Sequence, residues 1–225
     1  DVADLWRRAG LGPGALERLA EADAFRPGLG LARRDALWAI RALKADPLPL
    51  FAAARDGEGA PLPEINEEAV RLKAMSEGRE VVEDYTHVGL TLRRHPVALM
   101  RGELDQMGYA PCGAIAEMKD GRRIKIAGLV LVRQKPASAK GVMFLTIEDE
   151  TGIANLVVWP DLYERQRPVV LGSGMLGVEG RIQREGEVIH VIAQRLANLG
   201  ALLAALGEHD GSAEAPLRVQ PRNFR

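Results

Sequence analysis

The sequence is poor in cysteine, in aromatic residues and in long apolar runs. Its only cysteine, Cys112, excludes an intrachain disulfide, which fits a reducing cytoplasm. No apolar stretch reaches the ~20 residues that a membrane-spanning helix needs, and no signal-peptide pattern opens the chain. We therefore expect a cytoplasmic protein without a membrane partner. Because the chain starts at Asp1 rather than at methionine, we also expect it to be part of a longer protein.

Residue clusters that carry catalysis or bind metals are missing as well. The four histidines do not recur at metal-ligand spacing and there is no second cysteine, so we predict no metal and no cofactor in this segment. The sequence has no nucleophile elbow and no glycine-rich phosphate loop with its lysine. Glu148, Asp149 and Glu150 lie at a predicted hairpin, where we expect solvated charges. We therefore predict no catalytic residue in this chain.

The second half of the sequence contains a series of short β-strand patterns. The predicted strands are 123–133, 142–149, 153–159, 175–183 and 187–193, with a short helix in 160–167. Gly128 predicts a kink in the first strand, and Glu150-Thr151-Gly152 predicts a hairpin. Three strands, a helix and two further strands is the order of the OB-fold, a five-stranded β-barrel. We assign this barrel to residues 121–199.

The first half is predicted to be helical, which makes the fold class α+β. Residues 2–9 and 15–25 are amphipathic and flank Gly10-Leu11-Gly12-Pro13-Gly14, a pattern typical of a helix-hairpin-helix, here at residues 1–45 and incomplete at its start. Glycines allow backbone N–H groups to approach a phosphate, so Gly10, Leu11, Gly12 and Gly14 are candidates for binding duplex DNA. The alternative is a plain helical hairpin with glycine caps.

The remaining segments connect these two regions or follow the barrel. Residues 46–63 are rich in Pro, Gly and Ala and are predicted to be a linker. Residues 64–120 form a predicted helical connector, with helices at 64–75, 78–92 and 97–107, and residues 200–225 form a C-terminal tail. The N-terminal region and the barrel are mildly basic whereas the connector is acidic, which favours a nucleic-acid partner for the two basic regions.

Several motifs resemble those of a known polymerase family. Phe144-Leu-Thr-Ile-Glu-Asp-Glu-Thr-Gly152 is similar to the second strand and turn of the anticodon-binding class of OB-folds. Over nearly its full length, the chain resembles the C-terminal region of bacterial C-family DNA polymerases, most closely the error-prone, damage-inducible members. The other segments that carry this resemblance are Asp4–Arg8, Leu16–Phe25, Leu31–Trp38, Arg94-His95-Pro96 and Pro221–Arg225.

The resemblance implies a part in copying damaged DNA. The parent would be a DNA polymerase used in translesion synthesis, with magnesium held by carboxylates of a palm domain outside this chain. The sliding clamp and accessory mutagenesis proteins would be its partners. Pro47-Leu-Pro-Leu-Phe51 resembles the clamp-binding motif of bacterial polymerases, with Leu48, Leu50 and Phe51 as contacts and Pro47 in place of the initial Gln. The alternative is that Leu50 and Phe51 pack on a neighbouring helix.

Strand alternation makes Phe144 the central candidate for binding single-stranded DNA. Met143, Leu145 and Ile147 form an apolar face suited to the barrel core, which leaves Phe144 on the outer face. In the resembled anticodon-binding class, the aromatic side chain at this position stacks on a base. The alternative is that the connector or the C-terminal tail covers Phe144.

Four further residues complete the predicted single-strand site. In the resembled class, the positions of Asn155 and Val157 line the same surface as the stacking aromatic side chain. Arg133 and Lys135, at the end of the first strand, would supply positive charge for the nucleic-acid backbone.

Two other functions fit the same patterns. OB-folds also serve as protein-interaction modules without DNA affinity, and the anticodon-binding region of a tRNA synthetase would contain a similar second strand. DNA affinity that falls steeply with salt would favour the polymerase interpretation over the first alternative. Preference for a folded tRNA over plain single-stranded DNA would favour the second.

Overall fold

The computed structural model describes residues 1–43, 72–207 and 221–224. They belong to two compact units, Asp1–Met75 and Ser76–Arg225. Within those three ranges, no helix is long and apolar enough to cross a bilayer. The predicted linker at 46–63, and with it Leu48, Leu50 and Phe51, lies outside the described residues.

Residues 1–43 of the first unit form four short helices, namely α1 (Val2–Ala9), α2 (Pro13–Glu21), α3 (Arg26–Leu29) and α4 (Arg33–Arg41). The Asp1 carboxylate caps α1 by accepting a hydrogen bond from the Asp4 amide at 2.7 Å. The helix ends at Gly10, whose φ of 61° is one that glycine adopts readily. The apolar helix faces meet in one core, formed by Val2, Leu16, Ala20, Phe25, Ala36 and Ile40.

The second unit is built on a closed β-barrel. Its strands are β1 (Arg123–Gln134), β2 (Met143–Asp149), β3 (Gly152–Val158), β4 (Met175–Glu185) and β5 (Val188–Asn198). They pair in the order β2-β3-β5-β4-β1, and β1 also pairs with β2, so the barrel has no open edge between them. β3 and β5 are parallel, whereas the other pairs within the barrel are antiparallel. The predicted OB-fold is therefore confirmed.

Strand β1 changes its partner along its length. Residues 123–129 pair with β4, and residues 129–134 pair with β2. Gly128 lies at this change, where an added Cβ would come within 2.6 Å of the Glu148 carbonyl oxygen. The predicted kink at Gly128 thus coincides with an approach of two backbones that leaves no room for a larger residue.

Helices of the connector pack on the wall of the barrel. They are α5 (Glu77–His87), α6 (Pro96–Leu99) and α7 (Arg101–Gln106), followed by a 3-10 helix at Cys112–Glu117. Helix α5 ends before the predicted residue 92, and the helix predicted at 97–107 is divided in two at Met100. Val81, Val97 and Leu104 are buried in one cluster with Leu129 and Met175 of the barrel. The connector helices and the barrel therefore share one unit.

His95 marks the start of α6. Its Nδ1 atom accepts a hydrogen bond from the Val97 amide at 3.2 Å, so the side chain caps the helix. Burial lowers the pKa of His95, although the carboxylate of Glu148, 3.9 Å from Nε2, opposes this shift. His95 thus has a structural role at this junction as the cap of α6.

Asp149 joins the connector to the barrel and corrects one prediction. We expected a solvated carboxylate, but Asp149 is only 3% exposed. Its Oδ2 accepts hydrogen bonds from the Cys112 amide at 2.7 Å and from Arg101 Nη2 at 2.9 Å. Its Oδ1 accepts from the amide and hydroxyl of Thr151 at 2.8 and 2.6 Å. A partner 37 residues away in the chain, Cys112, explains why local sequence did not reveal the burial.

Hydrogen bonding determines the charge state of Asp149. Burial by itself would raise the pKa of this carboxyl group. The hydrogen bonds from Thr151 and Cys112, together with the positive charge of Arg101, outweigh burial and hold the pKa below its usual value. Asp149 is therefore a buried, ionised carboxylate whose lone pairs are satisfied by donors from two regions of the chain.

Short elements cover the barrel and extend it. Between β3 and β4, where the sequence predicts one short helix in 160–167, the structure has two, α8 (Pro160–Arg165) and α9 (Arg167–Gly172), which contribute Leu162, Tyr163 and Val170 to the core. Helix α10 (Gly200–Ala205) follows β5. Strand β6 (Arg222–Phe224) pairs in parallel with the end of β1, so the predicted tail contains a sixth strand.

Candidate nucleic-acid interface

The barrel presents two neighbouring rows of outward-pointing side chains, which we call the outer face. In both rows, each residue is the cross-strand partner of the next, so the side chains stand side by side. The first row contains, in spatial order, Phe224, Gln134, Phe144, Val157, Ile192, Arg181 and Arg123. The second contains Arg222, Val132, Thr146, Asn155, His190 and Gln183.

Phe144 lies on the outer face because β2 alternates as predicted. Met143, Leu145 and Ile147 are buried in the barrel core, while Phe144 between them is half-buried. Its cross-strand partners are Gln134 on β1 and Val157 on β3. An aromatic ring with one accessible side on a sheet surface has the geometry needed to stack on a base.

Asn155 and Val157 share this face but differ in accessibility. Asn155 is exposed, and its Oδ1 accepts a hydrogen bond from the Thr146 hydroxyl at 3.1 Å. Val157 is 8% exposed, because it stands between Phe144 and Ile192. Val157 is therefore buried between its neighbours on the outer face, and this corrects the expectation that it lines the accessible surface.

Arg133 does not belong to the outer face, which corrects a second expectation. Its side chain points to the interior and is 4% exposed. Its guanidinium group donates to the carbonyl oxygens of Val170, at 2.7 Å, and of Ser173 at the end of α9. Burial lowers the pKa of Arg133, and the two carbonyl oxygens partly replace the water that it has lost. Arg133 caps a helix and is not placed to contact a phosphate.

Lys135 follows β1 and is half-buried. Its Nζ atom lies 4.0 Å from the centre of the Tyr163 ring, within the range of a cation–π contact. Its amide donates a hydrogen bond to the Phe224 carbonyl oxygen at 3.3 Å. Lys135 therefore stands near the outer face, but its charge already has an aromatic partner.

Sequence reasoning missed several residues of the outer face. Arg181 and Ile192 come from β4 and β5, and Arg222 and Phe224 come from the C-terminal strand. The alternation of β4 and β5 could have indicated the first two. Nothing in the local sequence reveals that β6 pairs with β1, because the paired residues, such as Val132 and Arg222, are far apart in the chain.

The glycine turn of the first unit joins two short helices. Gly10, Leu11 and Gly12 connect α1 with α2, and the Gly10 amide donates to the Trp6 carbonyl oxygen at 3.1 Å. An added Cβ at Gly12 or Gly14 would meet no atom within 4 Å, so the surface around the turn is open. This geometry suits a phosphate contact and equally suits a glycine-capped hairpin.

Metal chemistry has no support among residues 1–43, 72–207 and 221–224. No group of three or more His, Cys, Asp or Glu side chains in those ranges could hold a metal ion. Asp149 and Glu150, which are adjacent in the sequence, are both ion-paired with Arg101.

Comparison with known proteins identifies the relatives of this chain. A family model described as an OB-fold nucleic acid binding domain matches residues 124–199. Error-prone DNA polymerase 2 of Agrobacterium fabrum and that of Rhizobium meliloti are each 56% identical over 215 residues, which is 96% of this chain. The chain is homologous to a segment of the error-prone DNA polymerases. It spans 20% of the length of each of these two polymerases.

Some solved structures are similar to part of this chain. Asparaginyl-tRNA synthetase from Pyrococcus horikoshii is 22% identical, with a TM-score of 0.34, over 40% of this chain and 22% of that one.

Proposed function

We propose that this chain is a DNA-binding part of an error-prone DNA polymerase that acts in translesion synthesis and damage-induced mutagenesis. The barrel holds single-stranded template on its outer face, and the glycine turn of the first unit holds duplex backbone. The observation that carries the proposal is the composition of the outer face. Phe144 stands in its first row, exposed arginines stand in both rows, and none of the paired side chains is acidic.

This composition matches what single-stranded nucleic acid requires. Bases stack on accessible aromatic rings without strong sequence preference, and phosphates are neutralised by nearby cations. Arg181 and Arg123 are cross-strand partners, so together they place two positive charges beside Ile192. The Asn155 side chain adds polar atoms that can bind a base or a sugar.

We propose that the segment binds DNA without catalysing synthesis. Phosphoryl transfer by a polymerase needs carboxylates that hold magnesium ions, and we assign these to another part of the parent enzyme. Leu48, Leu50 and Phe51 are the proposed contacts with the sliding clamp, and accessory mutagenesis proteins are further proposed partners. Both proposals rest on the sequence motif and on the relatives, which are named error-prone DNA polymerases.

A binding experiment on the 225-residue chain tests the proposal. Fluorescence anisotropy with a labelled oligo-dT of about 16 nucleotides, the upper end of the sites that OB-folds occupy, would measure affinity. Phe144→Ala should weaken binding roughly ten- to a hundredfold, because one stacked base contributes about 1–3 kcal/mol. The dependence on salt should hardly change, since no phosphate contact is removed.

Leu92→Ala provides the control. Leu92 is 96% exposed and lies in the loop between α5 and α6, away from the paired strands, so its loss should leave affinity unchanged. Equal affinity of Phe144→Ala and the parent chain would overturn the assignment of Phe144. No measurable affinity of the parent chain at low salt would instead favour a protein-interaction module.

A further inference from the structure

The C-terminal strand β6 extends the outer face by one strand at its edge. Beyond Leu129, β1 no longer pairs with β4, and its edge on that side would be open. Strand β6 pairs there instead, with Arg222 opposite Val132 and Phe224 opposite Gln134. Pairing satisfies backbone groups that an unpaired edge would leave to solvent. The chain thus extends the barrel by one strand next to the candidate binding surface.

This pairing brings a second aromatic side chain into line with Phe144. Gln134 separates the two rings within the first row, so Phe224 and Phe144 are two strand spacings, or about 10 Å, apart. Phe224 is 52% exposed. A large apolar ring that is half exposed on a strand of three residues adds little to the core, and its accessible surface is suited to contact a ligand.

The charged side chains around β6 indicate which class of ligand this edge of the outer face would bind. Arg222 is exposed and stands in the second row beside Val132, which separates it from Thr146. No acidic side chain lies among the paired residues of either row. Two accessible rings with an arginine beside them match the alternating bases and phosphates of a single strand, and the positive charge favours an anionic ligand over a cationic one.

We propose that β6 is part of the single-strand binding site, with Phe224 as a second stacking residue and Arg222 as a phosphate contact. This inference rests on the proposed function of the outer face. It makes the site longer than the five-stranded barrel and dependent on the last residues of the chain. A strand held by a few backbone hydrogen bonds, such as that from the Lys135 amide to the Phe224 carbonyl, then contributes directly to affinity.

Variants of Phe224 test the inference in the same oligo-dT assay. Phe224→Ala should weaken binding roughly ten- to a hundredfold, the loss expected for one stacked base. Phe224→Leu keeps apolar bulk on β6 but removes the aromatic face, so it should lose most of the same affinity. Phe224→Trp should bind at least as tightly as the parent chain. Because the two rings are about 10 Å apart, the fold losses of Phe144→Ala and Phe224→Ala should approximately multiply in the double variant.

Arg222→Gln gives an independent readout. Removing one phosphate contact to a single strand should reduce the slope of log affinity against log salt by about 0.7, whereas Phe224→Ala should leave that slope unchanged. An unchanged slope for Arg222→Gln would refute the phosphate contact.

The outcomes separate this inference from the proposed function. If Phe144→Ala weakens binding while Phe224→Leu and Phe224→Ala bind like the Leu92→Ala control, β6 is not part of the site and the proposed function stands. If the parent chain does not bind oligo-dT at low salt, the proposed function itself is wrong. Binding of a protein partner that Phe224→Ala abolishes, with oligo-dT affinity intact, would also overturn the inference.

Discussion

Replacing Asp149 by asparagine tests whether the buried carboxylate joins the connector to the barrel. Oδ2 accepts from the Cys112 amide and from Arg101, while Oδ1 accepts from both donors of Thr151. Asparagine offers one carbonyl oxygen and one NH2 group in place of the two carboxylate oxygens. Either the donors at the Oδ1 position or those at the Oδ2 position must therefore face the NH2 group, which cannot accept their hydrogen bonds. If the oxygen stays with Thr151, the buried Cys112 amide loses its acceptor and Arg101 loses a charged partner.

The expected cost follows from these contacts. An unsatisfied buried donor costs about 1–3 kcal/mol. The loss at Arg101 adds roughly 1 kcal/mol, because its guanidinium keeps Glu150 as a partner at 2.6 Å. We therefore expect Asp149→Asn to lower the free energy of unfolding of the second unit by roughly 2–4 kcal/mol at pH 7. Glu150→Gln is the matched control, and loss of this more exposed ion pair should cost less than about 1 kcal/mol.

The pH dependence of this effect has a definite sign. The folded state holds the pKa of Asp149 below its usual value, so the unfolded chain binds the proton more readily. The stability from the ionised carboxylate is fully present above the unfolded pKa of about 4 and is lost as the pH falls through the lower folded pKa. The difference in unfolding free energy between the parent chain and Asp149→Asn should therefore shrink below about pH 4.

Urea unfolding followed by far-UV circular dichroism, repeated from pH 7 to pH 3, measures this difference. An Asp149→Asn variant that unfolds at the same urea concentration as Glu150→Gln would refute the reasoning. A large difference that stays constant down to pH 3 would show that the shape of the side chain matters and its charge does not.

Two further variants test the proposed DNA and clamp contacts outside the barrel. Gly12→Val should weaken binding to duplex DNA without sequence preference. It should leave the fold intact, because the backbone at Gly12 is extended, with φ −68°, and an added Cβ meets open space. Unchanged duplex affinity in an electrophoretic mobility shift assay would show that the turn is purely structural. The double change of Leu50 and Phe51 to alanine should abolish binding to the sliding clamp, measured by surface plasmon resonance. The circular dichroism spectrum of the variant should match that of the parent chain. Clamp binding that survives the double change would exclude this motif as the contact.

The sequence predicts the barrel well because its signals are local. Alternation along β2 depends only on the two-residue period of a strand, so the inward set around Leu145 and the outward position of Phe144 follow directly. The close backbone approach at Gly128 and the hairpin before Gly152 likewise depend on a single residue and on a short turn. The order of strands and helix then suffices to specify the OB-fold.

Long-range contacts decide the features that the sequence did not reveal. Arg133 continues a strand pattern next to Lys135, yet it turns inward because two carbonyl oxygens at the end of α9 accept its hydrogen bonds. Asp149 has acidic neighbours on both sides, yet donors from the connector and the hairpin bury it. In both cases the charge is tolerated inside because partners distant in sequence replace water, and a local pattern contains no information about such partners.

The outer face shows the same division between sequence and tertiary structure. The alternation of β2 and the residues of β3 determined that an aromatic ring and an asparagine would stand together on the barrel. Strand pairing in the closed sheet buries Val157 and places Arg181 in the same row. The pairing of β6 with β1 adds Phe224 to that row. The physical reason is that side-chain direction is set by the backbone of each strand, whereas neighbours across strands are set by pairing.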